Sequence, residues 1–214
     1  MNVTIIGAGN MGRGIGHRLV AGGHSVTLID RDPQEAEKLA SELKGAAKKG
    51  ARVQTASLDS ASLGEIVILA VWYSAGKEIV QQLGQKLAGK TVVDISNPLN
   101  GTFDGLGIPA GTSWPEELSK VAAPGTKLVK AFNTTFAGTL VEGKAAGVPL
   151  DVFIAGDDAQ AKQAVAQLVS DGGMVPVDVG ALQRARQLEG LGLLGITLQG
   201  PHQLNWSSGW KLVH

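Results

Sequence analysis

The sequence contains no cysteine. That excludes disulfides, thiolate nucleophiles, and zinc or iron–sulfur centres held by cysteine. Aromatic residues are scarce, at 4% of the chain. No apolar run reaches the roughly 20 residues of a membrane span, and no basic stretch followed by an apolar segment marks a signal peptide. Charge is equally flat: 19 basic residues balance 19 acidic ones, and like charges run no further than pairs such as Lys48-Lys49. Nucleic acid and anionic membrane surfaces are therefore not expected as partners, and a soluble, cytoplasmic protein is. A chain of 214 residues is long enough for one large domain, or one domain with a small appendage, around a real core.

What the chain does have is glycine, 30 residues of it. Three of them, Gly7, Gly9 and Gly12, follow the apolar run Val3–Ile6 with the spacing G-x-G-x-x-G. In that context the spacing is a dinucleotide fingerprint: Gly7 for the tight turn out of a strand, Gly9 for close approach to a pyrophosphate, Gly12 for helix packing. Asn10 and Met11 lie within the same loop and open the helix, whose N–H groups and dipole would face phosphates. Met11, Ile15 and Leu19 give this helix one apolar face, Gly22-Gly23 ends it, and Val26–Ile29 forms a second strand closing on Asp30.

Beyond Asp30 the alternation continues. Asp32 and Pro33 predict a helix start, with Ala36, Leu39, Ala40, Leu43 and Ala47 as its buried stripe. Strands are expected at 52–55, 66–71, 91–95, 127–132, 152–155 and 174–179. Helices are expected around Ile79–Leu87, Phe136–Lys144 and, behind a capping box of Asp157 and Gln160, Ala161–Leu168. The pattern predicts a doubly wound, mainly parallel α/β sheet over residues 1–180 with a small, mainly helical portion over 181–214. Ligands of such sheets sit beyond the carboxyl ends of the strands, which singles out the loops 7–12, 30–31, 71–75 and 96–101.

The stretch Val129-Lys-Ala-Phe-Asn-Thr134 makes a wider pattern visible. Together with Gly7–Gly12, Asp94–Pro98, Asp151–Asp157 and Leu182–Glu189, it resembles the deazaflavin-dependent NADP oxidoreductases, and also the NADPH-oxidising domain of the STEAP metalloreductases. The resemblance covers residues 1–195 in order. It implies a Rossmann domain, a small C-terminal portion, and hydride transfer between NADP(H) and a flavin or deazaflavin ring. By position, it implies that Val71, Trp72, Ser96, Asn97 and Pro98 flank the nicotinamide and ribose, and that Asn133 and Thr134 face the second ring. Asn133 stands where the resembling enzymes often carry His, and Trp72 where they often carry proline. Arg186 and Glu189 match an Arg-x-x-Glu at the start of the last helix, spaced to pair with each other and to hold the tail on the body.

Chemistry of this kind belongs largely to the cofactors, so no catalytic acid, base or nucleophile is assigned. His17, His24, His202 and His214 lack spaced partners and are expected in surface or structural roles. Asp30 would accept a ribose 2′-hydroxyl and favour NAD(H), whereas Arg31 would bind a 2′-phosphate and favour NADP(H); the balance falls on NADP(H). FMN, FAD or the deazaflavin is the expected second substrate. Trp206 and Trp210, one helical turn apart and near Leu204, together with Leu191, Leu193 and Leu194, point to core packing or a homodimer contact. Two other readings share the glycine loop. One is a dehydrogenase of the β-hydroxyacid type, which needs a catalytic lysine on a long helical domain, and the other a non-catalytic nucleotide sensor.

Overall fold

A computed structural model describes every residue except Lys49 and His214, so that part of the Lys48-Lys49 pair and the last histidine lie outside the described residues. Among the described residues, ten strands and seven α-helices follow in the order β1 (Asn2–Ile6), α1 (Asn10–Ala21), β2 (Ser25–Ile29), α2 (Pro33–Ala46), β3 (Val53–Thr55), β4 (Ile66–Leu69), α3 (Tyr73–Leu83), β5 (Thr91–Asp94), α4 (Trp114–Ser119), β6 (Lys127–Lys130), α5 (Ala137–Glu142), β7 (Lys144–Ala145), β8 (Val148–Pro149), β9 (Asp151–Gly156), α6 (Ala159–Asp171), β10 (Val175–Gly180) and α7 (Ala185–Thr197). Eight strands form one sheet in the order β10-β9-β6-β5-β4-β1-β2-β3, and β7 pairs with β8 as a separate hairpin.

The Rossmann arrangement follows from the apolar runs. β1, β4, β5 and β6 are central and parallel, and their side chains alternate between two buried layers. Val3 and Ile5 meet Ile15, Leu19 and Leu43 on one side, while Ile6, Val67 and Leu69 meet Val80, Leu83 and Leu118 on the other. β9 runs antiparallel to β6, and β10 follows β9, so the last two strands reverse the direction of the rest.

Local chemistry sets the boundaries. Asp32 accepts from Gln34 N at 2.9 Å with Pro33 in the first turn, as the sequence predicts for α2. The capping box expected at Asp157 and Gln160 does not form. Asp158 caps α6 by accepting from Ala161 N at 2.8 Å, while Asp157 reaches across to Leu182 N at 2.9 Å and ties β9 to the tail. Helix ends at Thr197, and residues 198–213 are irregular turns, because Gly200-Pro201 interrupts the pattern and Gln203, Asn205 and Trp206 take positive φ. Trp206 and Trp210 therefore do not share a helical face.

Arg186 and Glu189 do not pair with each other either. Arg186 projects outward to Glu116, 2.8 Å from Nε to Oε2, and Glu189 points into the body. Each holds the tail to the Rossmann body, as expected, through a partner distant in sequence. His17 lies 2.6 Å from Glu42, and His24 is buried beside Asp171 and the chain amino terminus, both in structural settings. Burial first, and the nearby amino terminus second, hold the His24 imidazole below its usual range. No helix among the described residues is long and apolar enough to cross a membrane, and none of their acidic and histidine groups forms a cluster able to hold a metal ion.

Candidate active site

A cavity of about 1580 Å³ opens along the carboxyl ends of the parallel strands. Its floor begins where β1 ends. Gly7 has φ +111°, and a side chain there would run into the Ala70 carbonyl at 2.3 Å, so only glycine makes this turn. Gly12 lies against the same turn, its position 2.0 Å from Gly7 O for an added Cβ, and so sits beneath the cavity rather than on its wall. Gly9 is different: an added Cβ would meet nothing within 4 Å, so the space before it is open. α1 starts there with no side-chain cap and no acidic residue in its first turn, leaving its N–H groups free for an anion. These features fit a pyrophosphate.

Asp30, at the end of β2, lines the cavity but its carboxylate is turned to the backbone. Oδ2 accepts from Ala8 N at 2.6 Å and Oδ1 from Asp32 N at 2.9 Å, which fastens the glycine loop to the second strand. Arg31 beside it is exposed on the rim. Gly7, Gly9, Asn10, Met11, Val71, Trp72, Ser96, Asn97 and Asn133 also line the wall, so one space gathers loops up to 126 residues apart in sequence. Pro98 and Thr134 are buried behind the wall and do not reach it. Trp72 is 66% exposed and edge-on to Phe103, with ring centroids 6.4 Å apart, so it belongs to the cavity mouth and not to the core.

Phe132 adopts φ +64°, a conformation costing a bulky residue about 1–3 kcal/mol, and the sharp turn brings Asn133 back onto the β5 loop. Its Nδ2 donates to Asn97 Oδ1 at 2.9 Å and to Leu188 O at 2.8 Å, while Asn97 Nδ2 donates to Asn133 O at 2.8 Å. The remaining Oδ1 is buried without a partner. The Asn133 amide nitrogen thus joins the β5 loop to α7, while the residue itself stays on the cavity wall.

Behind Ser96 lies a group of charges whose mutual contacts composition and spacing did not predict. Lys130 Nζ, withdrawn from solvent, donates to Asp94 Oδ2 at 2.6 Å, to Glu189 Oε1 at 2.9 Å and to the Ser96 carbonyl. Asp94 Oδ1 accepts from Ser96 Oγ at 2.7 Å and Ser96 N at 3.2 Å. Glu189, 0% exposed, also accepts from Trp114 N at the start of α4. Burial outweighs the attraction of Lys130 and holds the Glu189 carboxyl above its usual range. Three residues from separate stretches of the sequence are joined only by the fold.

The far wall comes from α5 and the tail. Phe136 and Trp206 meet edge to face at 5.4 Å, and Gly138 and Ile196 complete that side. Trp206, half-exposed, is part of this wall rather than of a core or a demonstrated dimer contact. Gly192 lets α7 lie directly on Asn97, since an added Cβ would stand 2.3 Å from Asn97 Oδ1.

Comparison with known proteins places this arrangement. The family described as NADP oxidoreductase, coenzyme F420-dependent, matches residues 2–98. A solved structure of a candidate F420-dependent NADP reductase from Arthrobacter sp. is 30% identical, covers 99% of each chain and superposes with a TM-score of 0.82. The chain belongs to this oxidoreductase family. It is an enzyme of that class. The F420-dependent NADP reductase of Methanothermobacter thermautotrophicus is 27% identical over 92% of this chain and 89% of its own length. The metalloreductase STEAP3 of Rattus norvegicus is 32% identical over 89% of this chain, and there the chain spans only 36% of its relative.

Proposed function

We propose that the protein passes a hydride between NADP(H) and a flavin- or deazaflavin-type acceptor. The observation that carries this reading is the continuous cavity of about 1580 Å³ with a phosphate-type cradle at one end and an aromatic wall at the other. Pockets for one small ligand measure about 300–1,000 Å³, so this space suits two reactants. The reduced dinucleotide supplies the hydride and both its electrons.

The residues of the chain bind, orient and keep water out. The free N–H groups of α1 hold the pyrophosphate. Arg31 takes the 2′-phosphate, an assignment supported by the commitment of the Asp30 carboxylate to Ala8 and Asp32. Ser96 and Asn97 flank the nicotinamide, and Phe136 with Trp206 supplies an apolar face to the acceptor ring. Relatives named F420-dependent NADP reductases favour the deazaflavin over FMN or FAD. No lysine lines the cavity among the described residues, and α7 carries none, which speaks against a lysine-dependent hydroxyacid dehydrogenase. Exposed Leu194 and Leu212 support a homodimer through the tail, which a monomeric mass in sedimentation would remove.

The test is a titration with NADPH and NADH followed by addition of the deazaflavin, FMN and FAD in turn, with absorbance following NADPH oxidation. Tight NADPH binding and oxidation on adding an acceptor are expected. Binding without turnover by any acceptor would favour a nucleotide sensor, and failure to bind either dinucleotide would end this reading.

A further inference from the structure

We propose that Glu189 is a positioning residue that biases the site toward the oxidised dinucleotide, acting through the buried Lys130–Asp94 pair that holds Ser96. The inference rests on the reading above that Ser96 flanks the nicotinamide.

The geometry gives a direct path. Glu189 of α7 contacts Lys130 of β6 at 2.9 Å, Lys130 contacts Asp94 of β5 at 2.6 Å, and Asp94 receives the Ser96 hydroxyl at 2.7 Å. Ser96 stands on the cavity wall. Each link is a hydrogen bond between groups with almost no solvent exposure, where charge is poorly screened.

The charges in this path do not cancel. One ammonium faces two carboxylates, so the ionised set carries an excess of one negative charge. The nearest turn of α7 does not offset it, because Arg186 is turned outward to Glu116. α4 contributes only the Trp114 backbone N–H. Docking of α7 does not call for that excess, since Asn133 already bonds to Leu188 O and Gly192 already lies on Asn97.

Hydride loss changes the charge in front of Ser96. The dihydronicotinamide ring is neutral; when its C4–H bond breaks and the hydride leaves with both electrons for the acceptor ring, the ring becomes a pyridinium cation. In its ionised form, the negative excess behind the wall stabilises that cation relative to the neutral ring. It therefore tightens the oxidised form and favours hydride donation. Across roughly 10 Å of protein at an effective dielectric near 20, one unit charge shifts such an equilibrium by about tenfold.

The experiment measures Kd for NADP⁺ and for NADPH separately, by fluorescence or calorimetry at alkaline pH, in the wild-type chain and in Glu189→Gln. The substitution keeps an oxygen for Lys130 and Trp114 and removes the charge. The ratio Kd(NADP⁺)/Kd(NADPH) is expected to rise about tenfold, with affinity for adenosine 2′,5′-bisphosphate unchanged. Asp94→Asn should move the ratio in the same direction and serves if Glu189→Gln does not fold. Equal weakening of both forms would make Glu189 a structural strut, and an unchanged ratio would overturn the proposal. Absence of dinucleotide binding in the wild-type chain would overturn the underlying reading, and with it this one.

Discussion

The Asp30 carboxylate lies 2.6 Å from the backbone nitrogen of Ala8, in the middle of the glycine loop. With its other oxygen on Asp32 N, the residue acts as a brace between β1 and β2. Asp30→Ala is expected to remove two charge-assisted hydrogen bonds, each worth about 1.5–3 kcal/mol, and to weaken NADH and NADPH by similar factors. Arg31→Ala is expected to weaken NADPH about tenfold or more and to leave NADH unchanged. Parallel titrations of both variants with both dinucleotides check the pair. A marked strengthening of the preference for NADPH over NADH in Asp30→Ala would show that Asp30 reads the ribose directly.

Gly9 and Gly12 belong to one fingerprint but answer to different forces. Gly9→Ala places a methyl group in open space, so thermal stability should stay within about 0.5 kcal/mol of wild type. The same methyl group stands where a pyrophosphate must approach, and dinucleotide binding should be lost. Gly12→Ala drives its Cβ against Gly7 O, and here the unfolding midpoint itself should fall. Urea unfolding and a binding titration on each variant separate the two. Equal destabilisation by both substitutions would contradict the open space before Gly9.

Local features of the site were legible because their causes are local. Gly7–Gly12, the Asp32–Pro33 helix start and the apolar runs of the central strands each carry their structural reason within a few residues. Asp30 was placed correctly at the end of β2, yet its partner Ala8 lies 22 residues away, and no local rule tells a carboxylate to turn inward. Lys130 shows the limit more sharply. In the sequence it lies within the strand expected over 127–132, and only the pairing of β5 with β6, together with the path of α7, buries it between Asp94 and Glu189. The Arg186–Glu189 spacing suggested a helical pair, but both residues had stronger partners supplied by α4 and β6. Trp206 looked helical because spacing cannot register the positive φ values at residues 203, 205 and 206.

Lys130→Met tests how strongly the buried charges depend on one another. The methionine has a similar length and no charge, so Asp94 and Glu189 would face each other without a cation. Removing one partner of a buried ion pair typically costs about 3–5 kcal/mol, and a loss of this size is expected in urea unfolding. Adding Glu189→Gln to Lys130→Met should recover part of it, because one uncompensated carboxylate disappears. A double variant no more stable than Lys130→Met would show that the two residues are energetically independent.

Glu42 and Glu189 should give opposite slopes in stability against pH. Hydrogen bonds from Arg13 and His17 lower the Glu42 carboxyl from 4.5 to about 2, so the folded state holds its charged form more strongly than the unfolded chain does. Its contribution is fully present above the ordinary carboxylate pKa and is lost as pH falls through the folded value near 2. Glu189 is raised by burial, so the folded state holds its proton more strongly. Its contribution is present below the ordinary pKa and declines as pH rises through the folded one. Thermal unfolding of wild type, Glu42→Gln and Glu189→Gln across the acidic to neutral range resolves the two. The wild-type advantage over Glu42→Gln should shrink on acidification, and that over Glu189→Gln should shrink as pH rises. A Glu189→Gln difference that grows with pH would mean that Lys130 dominates over burial at this site.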